Sequence, residues 1–246
     1  MTGGFLVHGI SPLPDRLAVR SALGILAAHN VVQNLILNER GYVTGNLAVS
    51  AVLMGLGRGS GSTWDEMGFG RPDVRATLGY GAVAMVTTTA AAVVAMTNTR
   101  TRGLLLDKRA QVAGWREMMQ RAVVRFPLGT ALFEEIGFRG VLPALLGRNR
   151  APWRGDALAA GVFALWHLIP TARVQAGNAL AQDQPRHRRA TSVVAGSVAA
   201  GVAGLGLSWL RRRTGSLLAP WLVHASVNSI AFLAGVAAQR GSGRRP

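Results

Sequence analysis

Apolar residues in this chain gather into blocks at about 21–38, 45–57, 76–96, 121–146, 156–172, 190–210 and 216–238, separated by short, arginine-bearing connections. A helix needs roughly 20 predominantly apolar residues to cross the hydrocarbon core of a bilayer. The pattern predicts an all-α, polytopic membrane bundle of about seven transmembrane helices. Six or eight is also compatible, because the second block is short and 104–120 is ambiguous. In that stretch Leu104, Leu105, Leu106, Val112, Trp115, Met118 and Met119 stand among Lys108, Arg109, Arg116 and Arg121. It reads equally as a helix lying in the membrane interface or as a solvated connector.

Nothing marks a second domain. We expect an N-terminal tail over 1–20, one membrane-embedded unit over 21–238 and a basic C-terminal tail over 239–246. Gly59, Ser60, Gly61 and Ser62 form a turn-rich connection before Trp64. In the sixth block Gly196, Ala200, Gly204 and Ser208 recur every four residues, which lets neighbouring helices approach closely. We read that stripe as packing within the bundle and not as a dimer contact.

Composition sharpens this picture. Hydrophobic residues make up 49% of the chain and charged residues 15%, and the net charge is +16. Lys108 is the only lysine, so the charge is almost wholly arginine, and it sits in short loops where it reads as topology signals and contacts to anionic lipid. Nucleic acid is not an expected partner, since no basic face interleaved with aromatics accompanies the charge. There are no cysteines, which removes disulfides, thiolate metal sites and cysteine nucleophiles. Arg16 and Arg20 precede the first apolar run without a small-residue cleavage site behind it, so we expect that run to be a retained span. The lipid bilayer is an expected partner. Abundant Ala, Gly and Arg with almost no Lys fits a GC-rich bacterial genome, and the expected location is the cell membrane of such an organism.

Against this apolar background stands Phe133-Glu134-Glu135-Ile136-Gly137-Phe138-Arg139-Gly140. A charge at bilayer depth costs about 2.5–3.5 kcal/mol on insertion scales, so such residues are normally paired, turned inward and functional. Glu135 and Arg139 are four residues apart with the acid first, the favourable order for an ion pair on one helix face. Glu134 lies about 100° round the helix and need not share the arginine. One carboxylate is thus neutralised and the other is free for proton transfer. The fifth block contributes Phe163 and His167, and the last contributes His224 and Asn228, each pair at helical spacing. His29, with Asn30 and Asn34 nearby, is read as a hydrogen-bonded packing residue. Two carboxylates, two histidines, an asparagine and an arginine can together supply a base, its partner and donors for a developing oxyanion.

Glu134-Glu135-x-x-x-Arg139, Phe163-x-x-x-His167 and His224-x-x-x-Asn228 resemble the three ordered motifs of the CAAX protease and bacteriocin-processing (CPBP) family, also called the abortive-infection (Abi) family. The flanks Phe138-Arg139-Gly140-Val141-Leu142 and Arg213-Thr214-Gly215-Ser216-Leu217 resemble the family's habitual context, and the motif core spans about 120–232. The resemblance implies an intramembrane endopeptidase with a catalytic cavity and a membrane peptide or protein as substrate. It further implies that Glu134 activates water with His167 assisting, that His224 and Asn228 form an oxyanion site, and that Glu135 and Arg139 orient and neutralise the catalytic helix.

A metal is the alternative. No His-Glu-x-x-His motif is present, but Glu134, His167 and His224 on three helices would suffice for a zinc site. We favour no cofactor, because Asn228 suits an oxyanion donor better than a zinc ligand. Two other functions compete: a non-enzymatic scaffold or immunity protein held together by the polar cluster, and a proton-coupled transporter. A scaffold has no use for a free Glu134, and no inverted repeat supports transport.

Overall fold

The computed structural model describes residues 13–148 and 150–241. The outer parts of the two expected tails, 1–12 and 242–246, lie outside the described residues. The chain folds as helices α1 (Asp15–Val31), α2 (Glu39–Gly59), α3 (Val74–Thr97), α4 (115–146), α5 (Pro152–Gly177), α6 (Arg186–Thr214) and α7 (Leu218–Gly241), joined by turns and short helical segments. Among the described residues the only β-type pairings are isolated bridges, Phe69 with Ser216 and Asp107 with Asn178.

Local chemistry sets the helix ends. The Asn38 side chain accepts a hydrogen bond from the Gly41 amide at 3.0 Å, and Asp73 does the same for Ala76 at 2.9 Å, each satisfying an amide that the first turn leaves unpaired. The Asn38 cap starts α2 at Glu39, earlier than the apolar block beginning at 45 indicates. Pro152 occupies the first turn of α5, where its missing N–H costs nothing. Gly215, at φ 73°, turns the chain sharply from α6 into α7.

Among the described residues four helices, α3, α5, α6 and α7, are long and apolar enough to cross a membrane. The other three expected spans, on α1, α2 and α4, are helical without meeting that standard of length and apolarity. α3 turns Leu78, Val83, Met85, Val86, Val93 and Val94 outward, and α6 turns out Val194, Val198 and Val202, the surfaces expected against lipid. The core instead surrounds α4, where Phe133, Ile136, Phe138, Val141 and Leu142 pack with Leu26 of α1, Leu53 of α2, and Phe163 and Trp166 of α5.

α4 is unusual along its length. Its hydrogen-bond register widens to π spacing over Gln120–Leu132 and again over Ile136–Val141, leaving Phe133–Glu135 as a short α-helical island. Such widening is characteristic of functional sites. Pro127 sits in the first wide stretch, where a five-residue register sets its missing N–H opposite the Ala122 carbonyl. Ser229 of α7 donates its hydroxyl to that carbonyl at 2.7 Å, and Trp221 Nε1 donates to the Pro127 carbonyl at 2.8 Å. Ser229 therefore satisfies the carbonyl that Pro127 leaves without its helical donor, and Trp221 adds a second tie from α7 to α4.

The stretch 104–120 is not one continuous helix: α4 begins at Trp115, and residues 103–114 before it are held against the bundle. They form short turns pinned by Asn178, whose side-chain amide donates to the Leu104 carbonyl at 3.0 Å, and by Ala110 packed with Phe232 and Val236. The small-residue stripe of α6 works within the bundle. A Cβ at Gly201 would lie 2.9 Å from the Ala164 Cβ, and one at Gly204 would lie 3.0 Å from Arg139 Nη2 and 3.2 Å from Phe163. Gly204→Val is therefore expected to destabilise the protein by about 1–3 kcal/mol through overpacking, read as a lowered unfolding midpoint in detergent, whereas Gly206→Ala, which meets nothing within 4 Å, should be tolerated.

Candidate active site

The adjacent carboxylates diverge as the helical spacing predicts. Glu135 is fully buried, and its Oε1 accepts from Arg139 Nη1 at 3.1 Å and from His224 Nδ1 at 2.7 Å. One oxygen thus ties α4 to α7. Arg139 is itself enclosed, with its guanidinium 3.9 Å from the centre of the Phe163 ring. A cation stacked on an aromatic face and paired with a carboxylate is how a buried charge is made tolerable.

Glu134 faces the other way. It lines a cavity of about 640 Å³ together with His167, His224 and Asn228. Its Oε2 is buried without a hydrogen-bond partner in the protein and lies 3.7 Å from His224 Nε2. An unpartnered carboxylate oxygen at the wall of a cavity is the expected seat for a water or a substrate group.

Hydrogen bonding also fixes the histidine tautomers. A carbonyl only accepts, so the 2.9 Å contact between His167 Nδ1 and the Phe163 carbonyl places a proton on Nδ1 and leaves Nε2 as the free position. In His224 the contact to the Glu135 carboxylate likewise assigns the Nδ1 proton, leaving Nε2 beside Glu134. Phe163 touches both rings, with centroids 4.3 Å from His167 and 6.5 Å from His224. This aromatic side chain therefore packs against three of the polar residues, Arg139 included.

The six residues singled out in the sequence come together in two layers. Glu134, His167, His224 and Asn228 line the cavity, while Glu135 and Arg139 stand behind them in the wall. His29 does not join them. Its Nε2–H donates to Asn46 Oδ1 at 2.5 Å and its ring packs edge-on to Phe133 at 5.1 Å, a hydrogen-bonded packing residue.

Sequence reasoning did not anticipate the outer wall of the cavity. Lys108, Arg109, Arg121, Arg125 and Arg173 line it, against Glu39 and Asp107. Arg125 lies 4.0 Å over the Tyr42 ring and pairs with Glu39 at 3.0 Å, so its position is fixed by packing as well as charge. Lys108 and Arg109 belong to the basic stretch 104–120 noted in the sequence, but Arg125 and Arg173 come from α4 and α5, and only the fold shows that they face one cavity.

Among the described residues no three His, Asp or Glu groups are arranged to hold a metal ion.

Comparison with protein families gives one result that bears on this geometry. Residues 118–230 match the family described as type II CAAX prenyl endopeptidase Rce1-like. The matched segment runs from α4 into α7 and contains all six residues. That description names prenyl endopeptidases and makes no mention of bacteriocin processing, abortive infection or a metal. No curated protein and no solved structure matches the chain. Among the described residues four helices have the length and apolarity to cross a bilayer, which supports a multi-pass membrane protein.

Proposed function

Starting from a chain whose residues 118–230 match the Rce1-like endopeptidase family, we propose that it is an intramembrane endopeptidase that hydrolyses a peptide bond with glutamate-activated water. The observation that carries the reading is the unpartnered Glu134 Oε2 on the wall of the cavity that His167, His224 and Asn228 also line.

Water held at Glu134 gives its proton to the carboxylate as it adds to the scissile carbonyl, and His167 Nε2, the free nitrogen of its ring, orients that water. Negative charge develops on the carbonyl oxygen. Asn228 donates to it through its amide in any protonation state, whereas His224 contributes only when Nε2 also carries a proton, because Nδ1–H is committed to Glu135. Collapse of the tetrahedral intermediate breaks the C–N bond, and Glu134 returns its proton to the leaving amine. Glu135 and Arg139 hold His224 and α4 in place without touching substrate.

The mechanism uses no metal. Cleavage is expected to survive exhaustive chelation in an assay of the purified protein in detergent. Loss of activity restored by zinc would reverse that part of the reading. The cations on the outer cavity wall favour a substrate with an acidic flank. The reading as a whole is tested by comparing new protein termini in host membranes carrying the wild type or Glu134→Gln at equal abundance. Termini that vanish with the substitution support proteolysis and give the flanking residues; identical profiles favour a non-enzymatic scaffold.

A further inference from the structure

His167 stands at an interruption in α5. The chain is α-helical over Pro152–Trp166, His167 takes φ −77° and ψ −4°, and helix resumes over Leu168–Gly177. The cause is legible two turns around it. In a continuous α-helix the Trp166 carbonyl accepts from the amide of residue 170, but residue 170 is proline and has no N–H. Asn30, on the buried side of α1, supplies the missing donor: its Nδ2 lies 3.0 Å from the Trp166 carbonyl oxygen.

The orientation of that amide is itself determined. Asn34, one turn further along, donates its Nδ2 to Asn30 Oδ1 at 2.8 Å and to the Asn30 carbonyl at 2.9 Å. The Asn30 oxygen is therefore occupied and its nitrogen is directed to Trp166. The Trp166 ring in turn packs on Phe133 at 5.6 Å and Phe138 at 5.3 Å, which flank the two carboxylates of α4. A chain of contacts thus runs from Asn34 through Asn30 and the Trp166 backbone to His167, with a side branch to the residue preceding Glu134.

We propose that Asn30 is a positioning residue for His167, acting by replacing the backbone hydrogen bond that Pro170 removes beside it. The inference rests on the endopeptidase reading only for its catalytic consequence. Asn30 touches no substrate and donates no proton; it holds the turn that aims the His167 ring.

The roles of Asn30 and Pro170 make a double-mutant cycle decisive, because an amide restored at 170 returns the bond that Asn30 provides from outside. Asn30→Ala is expected to lower kcat by up to about 10²-fold, with KM little changed, as a misplaced catalytic group does. Asn30→Asp, which keeps size but loses the donor when ionised, should behave alike. In the Pro170→Ala background the same Asn30→Ala change should cost far less. A structural role of Asn30 in general packing predicts instead equal losses in both backgrounds, and that result would overturn the proposal.

A second readout needs no substrate. The rate at which diethyl pyrocarbonate acylates His167, followed by peptide mass spectrometry, should change with Asn30→Ala and return toward its starting value with Pro170→Ala added. An unchanged rate in Asn30→Ala would also overturn it. If no version of the protein cleaves any peptide, the endopeptidase reading fails while the acylation rates still decide whether Asn30 positions His167.

Discussion

Glu134→Gln is expected to lower kcat by about 10²–10⁴-fold while leaving the unfolding midpoint in detergent unchanged. The magnitude is that of removing a positioned general base. The stability half of the expectation follows from surroundings: Glu134 Oε2 has no hydrogen bond in the protein to lose, and an amide of the same size carries no charge into the protein interior. Glu135→Gln should behave differently. Its Oε1 accepts from both Arg139 and His224, so neutralising it loosens the ion pair and the ring orientation together. Purified variants assayed for cleavage and for thermal unfolding separate the two carboxylates. A Glu134→Gln protein that cleaves at the wild-type rate would end the general-base assignment.

Arg139→Leu should cost about 3–5 kcal/mol of stability, the range for breaking a buried pair by removing one partner. Leucine leaves Glu135 fully buried with a single remaining donor, His224 Nδ1, and removes the guanidinium stacked on Phe163 at 3.9 Å. The double change Arg139→Leu with Glu135→Leu should recover much of the loss, since a well-filled apolar replacement of a buried pair is often close to neutral. Unfolding of the three variants against wild type measures this directly. Recovery of stability without recovery of cleavage would separate holding the fold from orienting His224.

The roles the residues take in the fold explain what could be read in advance. Glu135 with Arg139 and His224 with Asn228 were legible because each pair shares a helix face, and spacing along one helix is a local property. The divergence of Glu134 from Glu135 followed from the same geometry. His29 was legible as a packing residue because a single histidine lacks companions on its own face. Contacts between helices were not legible. Nothing local couples Asn30 to Pro170, or Ser229 to Pro127, because each is a side chain repairing a backbone defect in a different helix. Within the stretch 104–120, the contacts that hold residues 103–114, to Asn178 and to α7, were likewise not legible. Among the described residues, four of the seven expected spans meet the standard of length and apolarity; α1 stops at 17 residues where the register widens at Val32, and α4 carries Glu134, Glu135 and Arg139 within its apolar stretch.

The pairing of Glu135 with Arg139 also governs how charge moves during turnover. Those two cancel within the wall, so in the proposed reaction a single negative charge changes place, leaving Glu134 as it takes the proton and reappearing on the carbonyl oxygen a few bonds away. The total charge of the site is the same before and after water adds. A reaction that only shifts charge across a preorganised pocket asks little rearrangement of its surroundings. The expense of holding ions at this depth is then incurred when the chain folds, and it is not repeated with each bond cleaved.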